Sequence, residues 1–169
     1  MTEPSNEETV TLRSKDGKEF RVSTEAARLS DLVKDALLDD EGGEVTLVDV
    51  LRVSSDCLEE VVSFLSHYQE EKMTDIPTPL NGTSFAEIVT QTWYRDFVES
   101  KEREVIFDLL TAANYMGIKP LLDLTCLKVT FELTGKTAEE IREILNLPAL
   151  TPEEEATARV EHKWIFEDS

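Results

Sequence analysis

The stretch that most constrains this chain is the run from Leu109 to Cys126, LLTAANYMGIKPLLDLTC. Ile106, Leu109, Leu110 and Ala113 recur at three- and four-residue intervals, which places them on one core-facing stripe of a helix ending near Met116. Gly117 stops that helix, because glycine accepts the left-handed backbone that closes many helices, and Ile118 is the apolar residue that packs back over the end. Pro120 then suits the first turn of a second helix, where a missing N–H costs little. The run is a joint. Asn114 and Tyr115 are the polar residues standing at it.

The pattern before the joint is mixed. After a loose tail up to about Glu8, VTLRS and KEFRV alternate with Val10, Leu12, Phe20 and Val22 on one side, and the intervening Asp16-Gly17 predicts a hairpin. Ser23 or Thr24 caps a short helix, and Ser30 caps a second, DLVKDALL, with Leu32, Val33, Ala36 and Leu37 as its stripe. An acidic loop from Asp39 to Glu44 leads to a strand from about Val45 to Val48. Ser54 and Ser55 open a helix to Tyr68 that buries Leu58, Val61, Val62 and Leu65. Residues 70–83 hold two prolines and a glycine and read as a flexible loop, in which Asn81-Gly82-Thr83 matches a glycosylation sequon by coincidence. Ser84 and Glu87 form a capping box, predicting a helix from about Phe85 to Val98 with Phe85, Ile88, Val89 and Trp93 partly buried.

Beyond the joint the pattern is helical throughout. One helix runs from Pro120 to Thr134 and ends at Gly135. Thr137 with Glu140, and Thr151 with Glu154, each place a threonine cap three residues before a glutamate, and Pro152 adds a proline at a first helical position. The expected class is therefore α/β: a body over residues 9–134 with a small three-stranded sheet packed by helices, then an all-helical extension over 135–169. Ile141, Ile144, Leu145, Leu147 and Leu150 give that extension more apolar surface than two short helices hide between themselves, which predicts a groove for another protein's helix.

Charge narrows the choice of partner. With 36 acidic and 17 basic residues, the net charge of −19 disfavours nucleic acid and anionic membrane surfaces and favours a basic or apolar protein surface. No membrane span is expected, and the polar, acidic N-terminus lacks a basic-then-apolar leader, so a cytoplasmic and nuclear location is expected. Cys57 and Cys126 lie in apolar helical stretches and are expected to be small buried hydrophobes. His67 and His162 have no neighbour at a ligand spacing, so neither a metal nor another cofactor is expected. No glycine-rich phosphate loop, G-x-S-x-G elbow or H-E-x-x-H helix is present. Glu153 to Glu155 read as charges complementing a helix start, which leaves an enzyme with paired carboxylates in a deep cleft as the rival from another class.

A family resemblance rests on several of these blocks. AANYMGIKPLLDLTC, then GKTAEEIR from Gly135 to Arg142, TPEEEA from Thr151 to Ala156 and Trp164, together with the opening VTLRSKDGKEFRV, resemble the Skp family of SCF ubiquitin-ligase adaptors over nearly the whole chain. The resemblance implies a BTB/POZ-type body that docks on a cullin, C-terminal helices that hold the F-box of a substrate receptor, and no active site. It implies that Asn114 and Tyr115 face the cullin, and that Leu122, Val129, Leu133, Ile141, Leu145, Leu147 and Trp164 face the F-box. Periodicity alone would also fit the aliphatic members as plain core. The RING subunit and the ubiquitin-conjugating enzyme would be reached only through the cullin, and the free body has room to form a homodimer.

Two related readings stand beside it: an SCF-independent partner of F-box proteins in a chromosome-segregation or trafficking complex, and an Elongin-C-like adaptor, which lacks helices beyond Thr137. The chain also departs from the family pattern. A capped helix replaces a short acidic insert between Glu70 and Thr90, Phe131-Glu132-Leu133 replaces small and amide residues, and Pro148-Ala149-Leu150 is shorter and less polar. Pro152 matches a proline that is hydroxylated and then glycosylated in some protists, and helix-start preference alone also explains it. Trp164 would cost roughly 1.5–3 kcal/mol to leave in water and is expected to cover something.

Overall fold

The hairpin forms as its alternation requires. In the computed structural model, which describes residues 8–38, 47–80 and 82–165 (residue 165 by its backbone alone), β1 (Thr9–Ser14) pairs antiparallel with β2 (Glu19–Ser23). Val10 faces Val22 and Leu12 faces Phe20, so the apolar residues share one side. Gly17 turns the chain at φ 87°, a conformation that residues with a Cβ rarely take.

The third strand, β3 (Leu47–Val50), pairs parallel to β1 and gives the order β2-β1-β3. It continues to Val50, past the end the sequence suggests, because Val48 and Val50 alternate into the core while Asp49 turns outward to Arg13. The guanidinium meets that carboxylate at 2.6 and 2.9 Å, holding the Asp49 carboxyl below its ordinary range and fixing the register of the pair. Val45 and the acidic loop lie outside the described residues, as does the tail before Glu8.

A parallel pair needs a crossover, and two short helices supply it. In α1 (Thr24–Ala27) the Ser23 hydroxyl accepts from the Ala26 N–H at 3.1 Å, and α2 (Asp31–Leu38) has Ser30 in the same role toward Val33 at 3.4 Å. Next, α3 (Ser55–Glu70) buries Cys57, Leu58, Val61, Phe64 and Leu65 against β2 and against the later helix that ends at Met116. The segment after α3 is irregular, with a cis peptide before Pro79.

The long helix expected from Phe85 to Val98 is broken in two. The capping box of Ser84 and Glu87 closes α4 (Phe85–Ile88), but the chain leaves helical geometry at Val89 and resumes as α5 (Thr92–Glu99). Val89 is buried, Thr90 is a second β-branched residue, and such residues are poor helix formers. The Gln91 side chain supplies the competing bonds: it accepts from the Thr74 N–H at 2.7 Å and donates to the Lys72 carbonyl at 3.0 Å and the Glu71 carboxylate at 2.8 Å. That amide pins the irregular segment to the body. Nearby, the Trp93 ring lies between those of His67 and Phe97 at centroid distances of 3.8 and 4.9 Å, and the Tyr94 hydroxyl donates to the Glu71 carbonyl.

The joint has the form its sequence predicts. Helix α6 (Arg103–Met116) buries Ile106, Leu109, Ala112, Ala113 and Met116, and Gly117 closes it at φ 66°. The Ile118 N–H donates back to the Ala113 carbonyl at 2.9 Å while its side chain is fully buried. Helix α7 (Lys119–Leu133) then buries Leu121, Leu124, Thr125 and Leu127. Cys126 lies off that stripe and is exposed, contrary to expectation, whereas Cys57 is buried as expected.

Backbone contacts divide the chain into two compact units, Met1–Phe131 and Glu132–Ser169. The second contains α8 (Ala138–Ile144), α9 (Pro152–Glu161) and a terminal 3-10 turn, Lys163–Ile165. Both capping boxes are complete, with Thr137 bonded to Glu140 and Thr151 to Glu154 in both directions. Neither α8 nor α9 has a buried residue.

Candidate partner-binding surfaces

The first candidate surface lies at the end of α6. Asn114 is exposed on its last turn, and the half-buried Tyr115 packs on the core with part of its ring still accessible. The neighbouring chain is held firmly. The hairpin turn joins the connection between β3 and α3 through the Lys15 N–H on the Val53 carbonyl, at 2.9 Å, and the Ser55 N–H on the Asp16 carboxylate, at 2.8 Å. That serine also keeps the Asp16 carboxyl below its ordinary range. These ties bring Lys15 and Arg52 beside the helix and leave a cleft of about 270 Å³, with Asp108, Asn114 and Tyr115 along α6 and Cys57 from α3 in its lining.

Arg52 sits over the Tyr115 ring at 5.5 Å from its centroid, a cation–π contact that the sequence did not reveal. The two residues are far apart in the chain, and Arg52 lies in an irregular connection with no periodicity to read. Burial, and secondarily the charges of Asp108 and Glu60, push the Cys57 thiol up to about 12. The polar groups of Lys15, Arg52, Asp108 and Asn114 give the cleft the means to recognise a polar side chain.

The other candidate residues lie on the helices after the joint, some in the first unit and some in the second. Leu122 and Val129 lie on α7 beside its buried stripe, half-buried and packed against the core of the first unit. Leu133, Ile141 and Leu145, in the second unit, are half-buried. Leu147 is 55% exposed and Trp164 69% exposed, and Leu150 and Val160 are exposed with them. Trp164 therefore covers little in the chain alone. The second unit also has a cleft of about 430 Å³ between α8 and α9, lined by Ala138, Leu150, Ala158 and His162 among others. Of its apolar lining only Leu150 stands out in the sequence, since alanines on a short helix carry little pattern. Pro152 is exposed at the start of α9.

A small three-stranded sheet flanked by helices, with a separate helical unit after it, defines the class: an α/β body of BTB/POZ type with a helical extension. Two family models match the chain, the Skp1 family tetramerisation domain over residues 8–70 and the Skp1 family dimerisation domain over residues 119–165. The chain is 33% identical over 159 residues to the S-phase kinase-associated protein 1 homolog of Tetrahymena thermophila, covering 94% of each. It is 35% identical to SKP1-like protein 14 of Arabidopsis thaliana, covering 94% of this chain and 97% of that one. Against the SCF ubiquitin ligase complex protein SKP1a of Dictyostelium discoideum it is 34% identical, covering 92% and 94%. The chain belongs to the Skp1 family.

Proposed function

We propose that this chain is the non-catalytic adaptor of a cullin-based SCF ubiquitin ligase, linking an F-box substrate receptor to the cullin scaffold for ubiquitin-dependent degradation. The observation that carries this reading is similarity along nearly the entire chain to proteins named as SCF subunits, including the E3 ubiquitin ligase complex SCF subunit sconC of Emericella nidulans at 31% identity. In this reading Asn114 and Tyr115 meet the cullin. Leu122, Val129, Leu133, Ile141, Leu145, Leu147 and Trp164 meet the F-box, which buries the apolar groups now exposed in the second unit. The RING subunit and ubiquitin-conjugating enzyme are reached through the cullin. The raised thiol of Cys57 supports a role without covalent catalysis.

The test is reconstitution from purified components. The chain should hold a cullin and an F-box protein at once; binding of an F-box protein with no cullin would replace this reading with an SCF-independent one. Asn114→Lys, at an exposed position, and the double variant with Tyr115→Lys should lose the cullin and keep the F-box protein. Loss of both partners by Asn114→Lys would show that the position is structural.

A further inference from the structure

The chain has many cations that answer its own acids, among them Arg13 with Asp49, Lys18 with Glu59 and Lys101 with Glu60. Lys15 and Arg52 do not: neither makes an ion pair with a carboxylate among the described residues, although the chain carries 36 acids. Both line the cleft beside Asn114 and Tyr115. Among the described residues this cleft carries two cations without an ion-pair carboxylate and one acid, Asp108, a local reversal of sign on a chain whose net charge is −19.

The reversal is built in. The Lys15 N–H to Val53 bond and the Asp16 to Ser55 bond fix the two segments that carry these cations, and the Tyr115 ring sits beneath the Arg52 guanidinium. A guanidinium over an aromatic face keeps its fork of N–H donors for a planar acceptor, and a carboxylate takes that fork in a two-point bond. Asp108 lines the same cleft, so an acceptor is attracted by Arg52 and Lys15 and repelled by Asp108, which narrows what the cleft takes.

We infer that Arg52, supported by Lys15 and positioned by Tyr115, is a specificity-determining contact of the scaffold-facing surface, and that it receives a carboxylate side chain of the cullin. The inference rests on the adaptor reading and deepens it. Asn114 and Tyr115 supply the contact area, and Arg52 supplies the charge that selects a partner presenting an acid at that point.

The experiment measures binding of the full chain to a purified full-length cullin by titration at several salt concentrations, with F-box binding measured in parallel. Arg52→Gln should weaken cullin binding about tenfold and Arg52→Glu further, while Arg52→Lys retains most of it, as expected for a charge-assisted contact. The salt dependence should be shallower for Arg52→Gln than for the unmodified chain. F-box binding should be unchanged by all three substitutions. Acidic residues on the cullin surface are then changed to lysine one at a time; one of them should weaken binding to the unmodified chain and restore binding to Arg52→Glu. Equal affinities for the Gln and Glu variants, or no restoring lysine, would overturn the inference. Absence of cullin binding by the unmodified chain is a different outcome, which removes the adaptor reading itself.

Discussion

Ser30 donates its hydroxyl to the carbonyl of Met116 at 2.6 Å, a buried bond between residues 86 positions apart. The same oxygen accepts from the Val33 N–H, so one side chain starts α2 and completes the end of α6. The Asp31 N–H adds a longer bond to the Gly117 carbonyl at 3.4 Å. The joint is therefore held from outside by the crossover between β1 and β3.

Removing that hydroxyl should be costly. Ser30→Ala leaves the buried Met116 carbonyl without this donor and takes away the cap of α2, and should destabilise the fold by about 1–3 kcal/mol. The midpoint of urea unfolding gives the number. An unchanged midpoint would mean that another donor replaces the serine.

Gly117 and Gly135 make a matched pair of tests. Both have positive φ, 66° and 76°. A Cβ at Gly117 would lie 2.8 Å from the Asp31 Cβ, whereas one at Gly135 meets nothing within 4 Å. Gly135→Ala should cost only the left-handed strain, roughly 1–2 kcal/mol, and Gly117→Ala should cost distinctly more in the same thermal melt. Equal losses would show that α2 yields freely beside the joint.

The two thiols should separate cleanly. Cys126 is exposed and Cys57 is buried with its thiol pushed up to about 12. Iodoacetamide at neutral pH should label Cys126 in the folded chain and leave Cys57 unmodified until denaturant is added, read by intact mass and peptide mapping. Cys57 labelling at the same rate would mean that α3 opens from α6 on the labelling timescale.

Acid should loosen the second unit from its helix starts. The backbone of Thr137 holds the Glu140 carboxyl below its ordinary value of 4.5, and the backbone of Thr151 does the same for Glu154. A carboxyl with a depressed folded pKa supports folding fully above its unfolded value and loses that support as pH falls through the folded value. Helical chemical shifts of α8 and α9 should therefore decline below about pH 4.5. Glu154→Gln keeps the reach of the capping box without the charge and should flatten the response of α9 alone. A response unaffected by Glu154→Gln would place the acid sensitivity elsewhere.

Trp164 offers a direct reading of partner binding. It is 69% exposed, while Trp93 is stacked between His67 and Phe97. In a Trp93→Phe background, adding an F-box protein should shift tryptophan emission to shorter wavelength, and Trp164→Ala should weaken binding by about 2 kcal/mol or more, as for a central aromatic anchor. Emission that stays at the solvent-exposed wavelength would remove Trp164 from the interface.

What could be read beforehand was whatever the chain settles locally. The Asp16-Gly17 hairpin, the Gly117 closure and the boxes at Thr137 and Thr151 depend on contacts within a few residues, and all of them appear. The broken helix between Phe85 and Val98 was hidden because Gln91 spends its amide on residues 71–74, a tertiary choice invisible to periodicity. Cys126 misled for a related reason: apolar residues surround α7 on several sides, so its neighbours do not reveal which face is inside. At the candidate surfaces, Asn114 and Tyr115 were marked by resemblance as candidates for the cullin contact. Arg52 was not, because its placement over Tyr115 comes from the tie between two turns.

The capping boxes of α8 and α9 have a corollary for tolerance to substitution. Each helix start is secured by a threonine and a glutamate three positions apart, and neither helix buries a side chain. Substitutions elsewhere on these helices leave those starts intact and open no cavity. Their exposed residues can be exchanged without disturbing packing, whereas in the body Val10, Leu12, Phe64 and Leu109 share one core in which a change at one is felt by the others.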